Sequence, residues 1–368
     1  MYFILSPCGT SLLTNQADQE ERKVVFKYAN VKEYEEIPRD DRAVIDGLIA
    51  RVQEVVQQAG IKEAVRLSAE LNGIINFYDG ELPRTNDYHL LLSTDTYLGS
   101  VTANIVKQWL ESRNEKFVVE VFRQKDLRTE DITSFQLALS DLVKHLSAVI
   151  PDFARKGYKV IFNLTGGFKS IQGFLQSIAN FFADESVYIF ETSSDLLRIP
   201  KLPLRLDALN IIRSNLTAFR RLALNLPVEA PDLQGIPETL LLKIDEEVTL
   251  SPWGALIWED AKRELYGQEI FPSPDKEKLD FSKEFLKSVQ GLPAERKALI
   301  NERIDQMVRH LHNPAYNPRS LDFKELKGKP FKQSTHEADA WSDLDARRIF
   351  GHFEGGKFVL DRLDKGLH

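Results

Sequence analysis

One polar segment, Asn163 to Ser170, contains the residues of this sequence best suited to bind an anion. The pair Gly166 and Gly167 stands directly before Phe168 and Lys169. A glycine pair at the start of a helix lets backbone N–H groups approach an anion, and the helix N-terminus adds partial positive charge. The ammonium group of Lys169 would supply a full charge. The segment therefore predicts binding of a phosphate-bearing ligand.

The same segment is also consistent with an ordinary turn followed by a solvated lysine. It is not a P-loop, because Phe168 stands where that motif requires a glycine before the lysine. No G-x-G-x-x-G motif follows a predicted strand either. A nicotinamide cofactor and a hydrolysable nucleoside triphosphate are therefore disfavoured, and we expect no cofactor and no metal.

The elements that must position this segment are short apolar strands that alternate with helical patterns over residues 1 to about 205. Strands are predicted at Tyr2–Leu5, Tyr88–Leu92, Phe117–Phe122, Lys159–Leu164 and Val187–Glu191, with a hairpin-like return at Leu196–Leu206. Helices are predicted near 41–59, 99–112, 130–156 and 168–183. This alternation indicates an α/β fold with a parallel sheet covered on both faces.

Two further polar segments follow strands of this predicted sheet. Thr10 and Ser11 come after the first strand, and Thr94 and Asp95 come after the second. Ligands of parallel sheets bind outside the carboxyl ends of the strands, so these residues and the glycine segment would meet at one edge. Capping of the following helices would also explain the hydroxyl groups.

The motifs after the three strands closely resemble those of CRISPR-associated Rossmann-like (CARF) sensor domains. The resemblance covers about residues 1–206 and rests on Ser6 to Ser11, Ser93 to Asp95 and Asn163 to Lys169. It implies a homodimer that binds a cyclic oligoadenylate across its two-fold axis, and cyclic tetra-adenylate suits such a site best. The ligand-binding residues implied by the resemblance are Thr10, Ser11, Thr94, Asp95, Thr165, Gly166, Gly167 and Lys169.

Some CARF domains cleave their own ligand without a metal, by holding a 2′-hydroxyl in line with the adjacent phosphate. Ser11 and Lys169 match the positions that perform this reaction. A hydroxyl would orient the reacting group, and a cation would stabilise the developing charge. Self-limiting ring cleavage is therefore a hypothesis for residues 1–206.

Residues 207–275 are predicted to be a small linker module that resembles a winged helix. Beyond it, residues 276–368 are predicted to form a helical hairpin followed by an antiparallel meander with strands at His336–Trp341, Arg347–Phe353 and Lys357–Leu363. Alternation along the second of these strands places Arg348, Phe350 and His352 on the face away from the hairpin. Cations and a ring on an open sheet face suit single-stranded RNA.

Charge and histidines are concentrated unevenly along the chain. The formal charge is −7, yet residues 276–368 carry 18 basic and 15 acidic residues, so this segment is +3 and the remainder is −10. The same segment holds five of the seven histidines, which makes it the first place to look for proton transfer. A charge of +3 is too small for strong binding to free RNA.

The tail resembles the RelE/ParE-like toxin fold. The similarity rests on the order of elements and on Leu326-Lys327-Gly328 and Arg348-Ile349-Phe350. It implies a ribosome-dependent mRNA interferase that needs no metal, in which a base takes the 2′-hydroxyl proton, cations stabilise the phosphorane and an acid protonates the 5′-oxygen. The catalytic residues implied by the resemblance are His336, Arg347, Arg348, His352, Arg362 and His368. The RNA-binding residues implied are Lys324, Lys327 and Lys329.

The sequence of the tail differs from the RelE/ParE-like pattern in one respect. Arg348 matches the transition-state arginine, and His336 and His368 lie where histidine-using members place theirs. The spacing from Arg362 to His368 is longer than in the family. The gyrase-directed ParE branch is less consistent with this histidine and lysine content.

Two other functions remain open. Arg303 and His310 fit the R-x₄₋₆-H pattern of the all-helical HEPN ribonucleases, although the strands predicted after His310 do not. The linker module could instead bind DNA as part of a ligand-responsive transcription regulator, but Glu259, Asp260 and Glu264 offset its basic residues.

The composition favours a soluble cytoplasmic protein that is not bound to a membrane. Cys8 is the only cysteine, so no intrachain disulfide can form, and a reducing compartment fits best. Residues 1–17 lack the basic start and the long apolar stretch of a signal peptide. We expect the protein to act with cyclic oligoadenylate, the ribosome and mRNA.

Overall fold

The computed structural model describes residues 1–190, 195–203, 209–327 and 331–366. The chain forms two compact units, Met1–Arg205 and Leu206–His368. Within the described ranges, no helix is long and apolar enough to cross a membrane.

A six-stranded sheet forms the centre of the first unit. Its strands are β1 (Tyr2–Cys8), β2 (Tyr88–Ser93), β3 (Val118–Arg123), β4 (Lys159–Asn163), β5 (Glu185–Ile189) and β6 (Leu196–Pro200). They lie in the order β3-β2-β1-β4-β5-β6, and only β5 and β6 pair antiparallel. The predicted parallel sheet and the return of β6 are thus confirmed. The order reverses between β1 and β4, and in doubly wound sheets a crevice for ligands opens at that point.

Eight helices surround this sheet in the part of the first unit that the structure describes. They are α1 (Ser11–Thr14), α2 (Gln19–Lys27), α3 (Arg39–Gln58), α4 (Ile61–Leu67), α5 (Ala69–Phe77), α6 (Tyr97–Arg113), α7 (Ile132–Arg155) and α8 (Lys169–Phe182). Phe3, Ile4 and Leu5 are consecutive and fully buried, because both faces of the sheet are covered. The helices α2, α4 and α5 were not predicted from the sequence.

The second unit has a five-stranded sheet, a hairpin and five α-helices in its described residues. The strands are β7 (Leu241–Ile244), β8 (Glu247–Leu250), β9 (Leu279–Phe281), β10 (Lys324–Glu325), β11 (His336–Trp341), β12 (Arg347–Glu354) and β13 (Lys357–Lys365). The helices are α9 (Leu209–Ser214), α10 (Leu216–Ala223), α11 (Pro252–Gln268), α12 (Lys283–Ser288) and α13 (Ala294–His312).

The order in the large sheet is β10-β11-β12-β13-β9, and β7 pairs with β8. All neighbours are antiparallel except β13 and β9. The predicted meander of three strands is therefore present. Ile304 and Met307 of α13 pack with Ile349 and Leu363, so the helix covers one face of this sheet.

Residues 209–275, which the sequence predicts to be a linker module, pack directly against the tail within the second unit. Arg220 of α10 is buried and forms an ion pair with Asp305 of α13 at 2.6 Å. The hydroxyl of Tyr266 in α11 also donates to Asp305. A buried charge needs such partners, so these contacts tie α10 and α11 to α13.

Candidate functional site

An open cleft of about 1010 Å³ lies where the strand order of the first unit reverses. The loops after β1 and β4 and the starts of α5 and α8 form its walls. Six of the eight residues predicted to bind the ligand line it: Thr10, Ser11, Thr165, Gly166, Gly167 and Lys169. The fold thus brings together two of the three polar segments.

The described residues that line this cleft carry two cations and no acid. Lys169 and Arg66 are exposed there. Phe168, the N-cap of α8, makes no side-chain capping hydrogen bond, so first-turn N–H groups of α8 lack a protein side-chain partner at this end. The cleft therefore offers positive charge and backbone donors to an anion.

Aromatic rings form the other part of the lining. Phe26, Phe168, Tyr188 and Phe190 all contribute to it, and Phe26 is 67% exposed. Exposed rings beside cations suit a nucleotide, because a base stacks on the ring while its phosphate meets the charge. None of these rings, and not Arg66, was among the residues predicted to bind the ligand.

Gly166 and Gly167 are also required by close packing within the first unit, in addition to their predicted role in binding an anion. A Cβ at Gly166 would lie 2.6 Å from the carboxyl carbon of Glu70. Gly167 has a φ of +86°, and a Cβ there would lie 2.9 Å from Cβ of Pro7. Gly167 therefore lets the β4 loop lie against the β1 loop, and Gly166 lets the same loop lie against Glu70 of α5.

Thr94 and Asp95 lie outside the lining of this cleft among the described residues, contrary to the expectation from resemblance. The carboxylate of Asp95 is 2.7 Å from Nζ of Lys32 and 2.8 Å from Nε of Arg123. Burial alone would raise the pKa of Asp95, but hydrogen bonds from Lys32 and from a backbone N–H lower it. The hydroxyl of Thr94 contacts that of Thr96 at 2.8 Å. The side chains of Thr94 and Asp95 therefore form contacts within the first unit and do not line the cleft.

Glu70 on α5 is a residue of this region that the sequence analysis missed. Its carboxylate accepts a hydrogen bond from the N–H of Gly9 at 2.9 Å and one from the hydroxyl of Ser11 at 3.1 Å. Ser68 caps α5 by accepting from the N–H of Leu71. A serine before an apolar helical pattern is a known start signal and could have revealed α5, although not the contact with Ser11.

In the second unit, the sheet face opposite α13 holds three of the predicted catalytic side chains. Arg348 and His352 are four residues apart on β12, and Arg362 lies on β13 opposite Phe350. Alternate residues of a strand point to the same face, so these three share it, with about 13 Å between the Cα atoms of Arg348 and His352.

His336 lies on the other face of this sheet. Its ring stacks on Phe323 at 5.5 Å and contacts Phe353 and Phe358, which belong to the side covered by α13. Burial lowers the pKa of His336, and the nearby Glu325 opposes this shift. His336 is thus not brought together with Arg348 and His352.

Arg348 is surrounded by carboxylates. Its guanidinium is 2.7 Å from Glu337, 2.9 Å from Asp339 and 3.4 Å from Asp322. Lys324 also forms an ion pair with Asp322. A phosphate group that meets Arg348 would have to compete with these acids.

His352 is held by a buried acid. Its Nδ1 is 2.9 Å from the carboxylate of Asp361, which also accepts from the hydroxyl of Ser334 at 2.7 Å. Asp361 lies at a bulge in β13, because Phe350 pairs with Arg362 while Gly351 pairs with Leu360. A carboxylate on Nδ1 leaves Nε2 of the imidazole for proton transfer.

The expectation that Phe350 lies on an open face is wrong. Phe350 is fully buried, because the ring of Phe331 covers it at 5.0 Å. The guanidinium of Arg362 in turn lies 5.7 Å from the centre of the Phe331 ring, and its Nε has no hydrogen-bond partner among the described residues. The loop that contains Phe331 therefore removes Phe350 from any role in stacking a base.

The remaining predicted residues of the second unit are Arg347, Lys324 and Lys327, together with two that lie outside the described ranges. Nε of Arg347 donates to Asp345 at 3.3 Å, and Lys324 and Lys327 are exposed. Lys329 and His368 lie outside the described residues.

The arginine and histidine of the HEPN alternative lie on α13 within the second unit. Arg303 is largely buried, and Nδ1 of His310 is 2.8 Å from the carbonyl oxygen of Tyr316. The five-stranded sheet packed on this helix is inconsistent with an all-helical domain. For the DNA-binding alternative, Lys262 of α11 is paired with Glu259 at 2.8 Å, which reduces the positive charge of that helix.

Residues 65–202 match a protein family described as CRISPR-associated protein (Cas_APE2256). The matched stretch covers less than half of the chain and includes α5 and the β4 loop. A search of curated proteins finds no match. The family match supports the predicted association with CRISPR systems, while ligand binding and ribonuclease activity stay predictions.

Proposed function

We propose that this protein is a CRISPR effector in which the first unit binds cyclic tetra-adenylate and thereby activates a metal-independent ribonuclease in the second. The ribonuclease would cut mRNA on ribosomes and arrest translation. The observation that carries the proposal is the cleft where the strand order reverses, whose lining combines Lys169, Arg66 and exposed aromatic rings. Phosphates and bases of an oligoadenylate need these two kinds of group.

The ligand would lie across a dimer. A cyclic tetra-adenylate is two-fold symmetric, and a homodimer would present two copies of Lys169 and of the hydroxyls of Thr10 and Ser11. Ligand binding transmits a signal only if the ligand prefers one arrangement of the second units over another. The same cleft would also cleave the ring slowly and so limit the response.

The sheet face of the second unit supplies groups for RNA cleavage. His352, held by Asp361, would transfer a proton at Nε2, and Arg362 and Arg348 would stabilise the negative charge that develops on the non-bridging oxygens of the phosphate. The acids around Arg348 repel free RNA, which supports a substrate that is positioned by the ribosome rather than captured from solution.

Translation in vitro with and without cyclic tetra-adenylate tests the proposal. We expect new mRNA ends only with the ligand, loss of cleavage in Arg348→Ala and loss of the response to ligand in Lys169→Ala. Lys125→Ala removes a lysine that is 82% exposed and outside the cleft, and serves as the control. Equal cleavage of naked RNA without ribosomes would favour the HEPN-type alternative. Cleavage that is independent of the ligand would refute the sensor.

A further inference from the structure

Glu70 is a buried acid directly behind the cleft. It is 1% exposed, and no basic side chain among the described residues forms an ion pair with it. Its carboxylate has two hydrogen-bond donors, the N–H of Gly9 and the hydroxyl of Ser11. A buried carboxylate without a cation is costly, so the place of Glu70 beside the cleft calls for an explanation.

The position of Glu70 joins the two loops that form the cleft. The carboxylate holds the β1 loop through Gly9 and Ser11 and lies where a side chain of Gly166 would otherwise be. The backbone carbonyl of Glu70 accepts a hydrogen bond from Nδ2 of Asn163 at 3.2 Å, which anchors the start of the β4 loop. Ser11 therefore has a defined acceptor on its buried side and the cleft on its other side.

We propose that Glu70 is a positioning residue that orients the Ser11 hydroxyl and takes, through it, the proton of a ribose 2′-hydroxyl in the ligand. This inference rests on the proposed cleavage of the cyclic ligand in the first unit. Ser11 accepts the proton of the 2′-hydroxyl while its own proton passes to the carboxylate of Glu70.

The bonds and protons of this step balance without a further reactant. The 2′-oxygen forms a bond to the adjacent phosphorus, and the bond from phosphorus to the 5′-oxygen breaks. The leaving 5′-oxygen takes a proton from the ammonium of Lys169, and exchange with water restores both Glu70 and Lys169. The products are a 2′,3′-cyclic phosphate and a 5′-hydroxyl.

Glu70→Gln tests the inference in the full-length chain, because it preserves size and keeps an acceptor for Gly9 but cannot take up a proton at neutral pH. The dissociation constant for cyclic tetra-adenylate and the single-turnover rate of ring cleavage are measured separately. We expect binding within about threefold of the wild type and cleavage slower by about 10²-fold or more, the usual contribution of a general base.

Glu63→Gln is the matched control. Glu63 on the neighbouring helix α4 also accepts from a backbone N–H, that of Gly60 at 2.6 Å, but it is exposed. It should leave both binding and cleavage unchanged. Thermal melting of each variant reports whether the first unit is still folded.

A double substitution keeps the test decisive if Glu70→Gln lowers stability. When Ser11 and Glu70 act in one relay, Ser11→Ala combined with Glu70→Gln should be as slow as the slower single variant. Independent, multiplied effects would overturn the relay, as would wild-type cleavage by Glu70→Gln or an equal loss of binding and cleavage.

The wild-type protein separates the two proposals. If it binds the ring but leaves it intact, both ring cleavage and the relay are refuted. If it cleaves the ring and Glu70→Gln does so equally fast, only the relay is refuted.

Discussion

Asp361 accepts a hydrogen bond from Nδ1 of His352 at 2.9 Å on the sheet face of the second unit that α13 does not cover. The acid is fully buried, while the side chain of His352 is 20% exposed. A β-bulge changes the direction in which a strand residue points, and the bulge in β13 places Asp361 beside His352. For the proposed ribonuclease, this pair favours Nε2 of His352 over His336 as the group that transfers a proton.

Asp361→Asn should therefore slow mRNA cleavage by about 10²-fold or more with little change in ribosome binding, because an amide favours the wrong tautomer of a paired histidine. Translation extracts programmed with a defined mRNA give the rate of cleavage. Asp280→Asn changes an exposed acid whose side chain, among the residues that the structure describes, accepts a hydrogen bond only from the next backbone N–H, and it should be silent. Full activity of Asp361→Asn would remove His352 from proton transfer.

Asp95 should behave as a structural acid rather than as part of the ligand site. Asp95→Asn breaks two ion pairs at a residue that is 3% exposed, so the free energy of unfolding should fall by about 3 kcal/mol. Affinity for cyclic tetra-adenylate should stay within about threefold of the wild type. Urea unfolding measures the free energy of unfolding, and a ligand titration measures the affinity. Unchanged stability with a loss of affinity would place Asp95 in the binding site.

His89 should make the stability of the first unit sensitive to acid. Burial lowers its pKa to about 4, whereas an unfolded histidine has a pKa of about 6.5. The folded state therefore resists protonation that the unfolded state accepts, and stability is lost as the pH falls from 6.5 towards 4. The loss from this group between pH 7 and pH 5 should be about 2 kcal/mol.

His89→Gln isolates this effect, because the variant cannot titrate in that range. Urea unfolding at pH 8, 7 and 5 compares it with the wild type. The difference in unfolding free energy between the two proteins should be constant from pH 8 to pH 7 and shift by about 2 kcal/mol in favour of the variant at pH 5. Parallel pH profiles would show that His89 takes up a proton equally in the folded and unfolded states, so that burial does not lower its pKa.

Gly166→Ala should damage the cleft. Its methyl group would lie 2.6 Å from the carboxyl group of Glu70, so the loop must move, at a cost of about 1 to 3 kcal/mol. We expect at least tenfold weaker binding of cyclic tetra-adenylate in a titration. Gly47→Ala is the matched control, because nothing lies within 4 Å of a Cβ there in α3, and it should raise stability by about 0.5 to 1 kcal/mol. Unchanged binding by Gly166→Ala would show that the close approach of the β4 loop to Glu70 is not needed for the cleft to bind its ligand.

Most strands and the long helices were predictable because each carries its own local signal. Buried parallel strands are short apolar runs, and α13 and the meander show helical and alternating patterns that switch at clear turns. The helices α4 and α5 were missed because no strand separates them from the elements before them. Because α5 was not predicted, Glu70 was not identified as a residue of the site either.

Within the site, the order of amino acids fixes which groups stand at the ends of strands: Ser11 after β1 and the stretch from Thr165 to Lys169 after β4. Those residues meet because parallel strands end at the same edge. The absence of the β2 loop from the lining of the cleft follows from the folded arrangement, since the order of strands and the ion pairs of Asp95 depend on residues far apart in the chain.

The same division holds for the second unit. The sequence determined that β12 and β13 carry Arg348, His352 and Arg362. The tertiary structure decided that Asp361 holds His352, that three acids surround Arg348 and that His336 faces the core. Each of these contacts joins residues on different strands or loops. Strand register, bulges and loop positions decide them, and none of these leaves a local trace in the order of amino acids.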